Sequence, residues 1–92
     1  MPRTPSAAAA LIGSRIAEER KSKGLTQDQL AVLSGIDSSN IRSYESGRSM
    51  LSILTLIRIS EALHATPGSF IDEVSSADFT SPVADARRRS AG

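Results

Sequence analysis

Between residues 26 and 48 stands a group of side chains suited to reading patterns of hydrogen-bond donors and acceptors: Gln27, Ser38, Ser39, Asn40, Arg42, Ser43, Ser46 and Arg48. An arginine fork can take a guanine bidentately and an asparagine amide can do the same for an adenine, whereas a serine hydroxyl bonds several bases without distinguishing them. Covalent chemistry has no comparable set. There is no Cys, which removes disulfides, thiolate metal sites and cysteine nucleophiles. His64 is the only histidine, with no second His and no Cys to complete a ligand set, so no metal site is expected. The serines have no local base and orienting acid beside them, so neither catalysis nor a cofactor is expected.

Those side chains need short, well-delimited elements to hold them. Ser6 is a good cap ahead of four alanines, and Ala8, Ile12 and Ile16 recur every fourth residue until Gly24, which predicts a first helix. Thr26 with Gln29 has the spacing of a capping box for a second helix, with Leu30, Ala31 and Leu33 as its apolar positions and Gly35 as its stop. Asp37 is placed to cap a third helix, over about residues 38–46, that carries Ile41, Tyr44 and Glu45 on one side and ends at Gly47. Ser52 opens a fourth, with Ile53, Leu56, Ile57, Ile59 or Ser60, and Leu63 as a broad apolar stripe. Thr66 and Pro67 start a fifth, with Phe70, Ile71 and Val74 on its apolar side. Strand signals are absent, so the expectation is an all-α bundle of five short helices.

On this reading residues 1–5 are an N-terminal arm, 6–74 the domain, and 75–92, rich in Ser, Ala and Asp around Pro82, a flexible tail. A chain of 92 residues makes one domain and hides only about 60 to 65% of its unfolded surface, so a second subunit would add stability. The apolar patch at 7–12 is short for a signal peptide and runs into Arg15, Glu18 and Glu19, and no run approaches the roughly 18 to 20 residues of a bilayer span. A soluble cytoplasmic chain without membrane contact is expected. The net charge of +1 is uninformative about nucleic acid, because a duplex responds to local potential. Residues 1–50 hold seven basic against five acidic side chains, and residues 51–92 four against five, a weak asymmetry. With three aromatics, Tyr44, Phe70 and Phe79, the chain lacks stacking platforms for single strands.

Two helices that cross steeply with their backbones close need a small residue at the contact, a glycine in the turn and an apolar residue facing back from the second helix. Ala31, Gly35 and Ile41 meet those needs at spacings of four and six. Setting Ile41 inward at about 100° per residue points Ser39 and Ser43 most nearly outward, with Asn40 and Arg42 beside them and Tyr44 and Glu45 turned in.

The stretches "IGSRIAEERKSKGLTQDQLA", "SGIDSSNIRSYESGR" and "LTLIRISEALHATPGSFI" together resemble the Cro/C1-type, or XRE, family of helix-turn-helix regulators. The resemblance spans about residues 12–71. It implies a lambda-repressor-like five-helix domain whose third helix enters the major groove of double-stranded DNA, in a homodimer on a palindromic operator. It also implies base-facing positions at Ser38, Ser39 and Ser43, phosphate contacts at Gln27 and Arg48 with Ser46 beside them, and an inward salt bridge from Arg20 to Glu45. The serines are shorter than the residues many such repressors carry, so Arg42 and Asn40 are the expected direct readers, with DNA shape contributing to specificity.

Met50, Leu51 and Leu54, with Phe70 and Val74, are either core or a contact between subunits. The run at 87–89 is a solvated tail or a non-specific DNA contact, and Arg3 is open in the same way. A stand-alone bacterial or phage repressor acting on the nucleoid, a restriction-modification controller and an antitoxin all fit the length. The competing class is a protein-binding module that keeps this scaffold but offers its third or fourth helix to a protein partner.

Overall fold

In the computed structural model, which describes residues 6–80, Ser6 opens the first helix, its Oγ accepting a hydrogen bond from the Ala9 N–H at 3.1 Å. That hydroxyl satisfies one of the N–H groups that a helix start leaves unpaired. Helix α1 then runs Ala7–Ser22. Helix α2, Gln27–Ser34, begins in the reciprocal arrangement its sequence predicts: the Gln29 N–H donates to Thr26 Oγ1 and the Thr26 N–H donates to Gln29 Oε1. It stops at Gly35, whose φ of +72° lies in the left-handed region that side chains disfavour, and whose N–H donates to the Ala31 carbonyl at 2.9 Å.

Helix α3, Ser38–Glu45, follows after two further residues, Ile36 and Asp37. Helix α4, Ile53–Leu63, is capped by Ser52, which accepts from the Thr55 N–H at 3.1 Å, and α5, Pro67–Ile71, has Pro67 in its first turn. No strand occurs among the described residues, so the domain is all-α. None of these helices is long and apolar enough to cross a membrane.

One core joins them: Ile12 and Ile16 of α1, Leu30 of α2, Ile41 of α3, Leu56, Ile59 and Leu63 of α4, and Phe70 of α5. Helix α1 packs against α3 and α5, and α2 against α3 and α4. The α1–α3 approach is close because Gly13 has no side chain. A Cβ there would stand 2.0 Å from the Tyr44 carbonyl oxygen.

Several expectations need correction. Leu33 is 58% exposed, and the inward residues of α2 are Leu30 and Ser34, whose hydroxyl donates to the Leu30 carbonyl at 2.7 Å. Leu30, Ser34 and the half-buried Ala31 together set the inward side, and Leu33 points about 100° away from its centre. On α4 the buried row is Leu56, Ile59, Ser60 and Leu63, while Ile53, 71% exposed, and Ile57 face out. Asp37 and Thr66 occupy cap positions without a side-chain bond to the helix backbone. Ordered packing also continues past Val74: Ser76–Phe79 forms a 3-10 turn against α1, with Asp78 buried and accepting from the Ser75 N–H. The expected arm at 1–5 with Arg3, and the part of the expected tail at 81–92 with its basic run at 87–89, lie outside the described residues.

Candidate nucleic-acid interface

The orientation of α3 is set at its C-terminal end by one carboxylate. Glu45, its side chain 5% exposed, accepts from Arg20 Nε at 2.7 Å, from Arg20 Nη2 at 2.9 Å and from Gln27 Nε2 at 2.9 Å, while Arg20 Nη1 donates to the Leu25 carbonyl. The side-chain hydrogen bond with Glu45 raises the Arg20 pKa above its already high ordinary range, burial opposes the rise, and the attraction of the carboxylate adds to it. Helices α1, α2 and α3 and the turn between the first two are thus tied together at Glu45. The inward pair expected from the family resemblance is present, and it has a further member: the Gln27 amide, expected at a phosphate, is spent on Glu45 in this structure.

With Ile41 and Glu45 facing in, α3 offers its other side to solvent. Ser39, Asn40, Arg42 and Ser46 are exposed, as is Arg48 just beyond the helix, whereas Ser38 and Ser43 are half-buried. Ser43 is less outward than a helical wheel predicts because the chain folds back over it. The N–H groups of Arg48 and Ser49 and the hydroxyl of Ser46 all donate to its carbonyl. Arg42 Nη1 lies 3.8 Å from Asp28 Oδ1 of α2, and the Ser39 hydroxyl donates to Asp37 Oδ2. Asp28 had no signal of its own in the sequence, since an ion pair between two helices leaves no periodic trace.

This surface holds guanidinium, amide and hydroxyl groups in one exposed strip, a donor set for base edges and phosphates. Among the described residues no group of three or more His, Cys, Asp or Glu is placed to hold a metal ion.

A second surface lies at the start of α4, where Met50, Leu51, Ile53, Ile71, Val74 and Phe79 line an open apolar groove with exposed Leu54 beside it. Phe70 is a correction: at 2% exposure it belongs to the core and has no face to offer a second subunit. Ile53 and Ile71, expected in apolar helix stripes, and Phe79, expected in the tail, take its place at the surface.

A family model described as helix-turn-helix matches residues 16–70. An HTH-type transcriptional regulator of Sinorhizobium fredii, y4dJ, itself uncharacterized, is 38% identical over 53 residues, 58% of this chain and 69% of that protein. Among solved structures, the restriction-modification controller protein C.AhdI from Aeromonas hydrophila is 34% identical with a TM-score of 0.66, over 67% of this chain and 94% of that one. The biofilm master regulator SinR, a Bacillus subtilis protein, was solved in complex with DNA; it is 32% identical with a TM-score of 0.65, over 66% of this chain and 98% of that one.

Proposed function

The chain belongs to the helix-turn-helix family of transcriptional regulators, proteins that are not enzymes, and from that premise we propose that it binds double-stranded DNA in a sequence-specific way, as a homodimer on a palindromic operator. The observation that carries the proposal is the Glu45 network, which fixes α3 against α1 and α2 and so aims its polar strip at solvent. In this reading α3 lies in the major groove. Arg42 and Asn40 contact base edges, Ser38, Ser39 and Ser43 act through water and close backbone approach, and Arg48 and Ser46 meet phosphates. Gln27 reaches a phosphate through its N–H at the start of α2, where the helix end attracts negative charge, because its amide is held by Glu45.

Two observations support the homodimer. Each copy carries one such helix, whereas successive major grooves on one face of a duplex recur about every 34 Å, so filling two half-sites takes two copies. The apolar groove at the start of α4 provides a surface for the second copy, with Met50, Leu51, Leu54 and Val74 among its residues and flank. Binding an operator places the protein in the cytoplasm with the chromosome.

The competing reading, a protein-binding module, has in its favour the exposed Val32 and Leu33 of α2. Selection from random DNA followed by a salt titration separates the two. Enrichment of a palindrome, with affinity falling steeply as salt rises and exceeding that for unrelated duplexes by roughly a thousandfold or more, is the expected result. Equal, weak binding to every duplex would overturn the regulator reading.

A further inference from the structure

The reading face carries its own acid. Over residues 26–49 the exposed charges are Arg42 and Arg48 against Asp28 and Asp37, since Glu45 is consumed by Arg20 inside the fold. Both exposed carboxylates engage a side chain of α3: Asp28 faces Arg42 Nη1 at 3.8 Å, and Asp37 accepts from the Ser39 hydroxyl. Of the two donors so engaged, Arg42 is proposed to contact a base edge and Ser39 to act through water.

We infer that Asp28 is a specificity-determining residue that acts through Arg42; the inference rests on the DNA-binding reading above. A phosphate is an anion, and an arginine that turns to one must leave Asp28 behind with its own charge facing the phosphate chain. A guanine edge is uncharged and takes the guanidinium in its plane through two donors, leaving the rest of the fork beside Asp28. The carboxylate therefore penalises use of Arg42 on the backbone, which every duplex offers, more than its use on a base, which the operator alone offers. The side chains of Asp28 and Arg42 are 80% and 56% exposed, so the pair contributes little to folding and its effect falls on what approaches from solvent. The weak net charge of this surface then has a function: it keeps non-specific attraction low, so that a short serine-rich face with few discriminating contacts still achieves a useful ratio between operator and bulk DNA.

The test uses the whole 92-residue chain, the duplex enriched from random DNA, and a scrambled duplex of the same length. Asp28→Asn keeps the shape and removes the charge. Expected are a gain of about five- to tenfold on the scrambled duplex near 0.1 M salt, a change within about twofold on the enriched one, and a salt dependence on scrambled DNA steeper by about one ion as Arg42 joins a phosphate. On an Arg42→Ala background the same substitution should change neither the ratio nor the slope. An equal gain on both duplexes, no change on either, or an undiminished effect in the absence of Arg42 would overturn the inference. The unmodified protein reports on the underlying reading separately: if it enriches no sequence, the DNA-binding reading fails whatever the variants do.

Discussion

The side chains of this surface divide by what happens when each is removed. Arg20 and Glu45 meet with their side chains only 10% and 5% exposed, so truncating one leaves a largely buried charge on the other, and Arg20→Ala or Glu45→Ala should lower unfolding stability by about 3 to 5 kcal/mol in a denaturant titration. Converting both together to apolar residues of similar volume should restore much of that loss, because the intact pair adds little net stability. Arg42 and Arg48 are exposed, and their losses should be read on DNA instead. Arg42→Ala should weaken operator binding by about 1 to 3 kcal/mol and relax the preference at one base pair in each half-site. Arg48→Ala should weaken all sequences alike and make the salt dependence shallower by about one ion, which a titration on operator and scrambled DNA resolves. If Arg42→Ala shows the uniform pattern, that side chain contacts a phosphate.

At the scale of helices, the approach of α1 to α3 depends on what is missing at position 13. Gly13→Ala would drive a methyl group into the Tyr44 carbonyl at the C-terminal end of α3, so it should destabilise the fold by about 3 kcal/mol, measured by thermal or denaturant unfolding, although alanine is the better helix former. A gain in stability would mean that α3 does not pack this closely. Nothing in the sequence distinguishes Gly13 from an indifferent glycine, because its requirement comes from a backbone more than thirty residues away. The legible features are the local ones. The Thr26–Gln29 box, the Gly35 stop and the Ser6 and Ser52 caps are each decided within four residues, and all stand as their types predict. Leu33, Ile53 and Ile57 misled for the same reason that Gly13 stayed silent: periodicity says that a helix has an apolar side, while its neighbours decide which arc of that side is covered. The site followed the same division. The outward placement of Asn40 and Arg42 follows from Ile41 facing in, but the Gln27 amide on Glu45 and the carboxylate of Asp28 beside Arg42 are meetings between helices.

For the whole molecule the deciding question is what covers the apolar groove at the start of α4. Met50, Ile53, Leu54, Ile71 and Phe79 are each between 40% and 71% exposed, a grouping of large apolar side chains that in a soluble domain marks an interaction surface. The groove adjoins the segment that leaves α3 through Gly47, so a copy seated on it is connected to the reading helix by a handful of residues. Leu54 is the side chain with which to test this, since it is 58% exposed and outside the core. Leu54→Asp should change unfolding stability of the monomer by less than about 0.5 kcal/mol, as surface substitutions do. In a second copy's absence the two half-sites are no longer bound in one event, so affinity for a full palindrome should fall by about a hundredfold or more while affinity for an isolated half-site is unchanged. Sedimentation at concentrations spanning the dissociation constant, run beside the DNA titration, would show monomer for the variant and dimer for the unmodified chain. A variant that still sediments as a dimer would move the subunit contact away from α4, and the exposed Val32 and Leu33 of α2 would be the next surface to substitute.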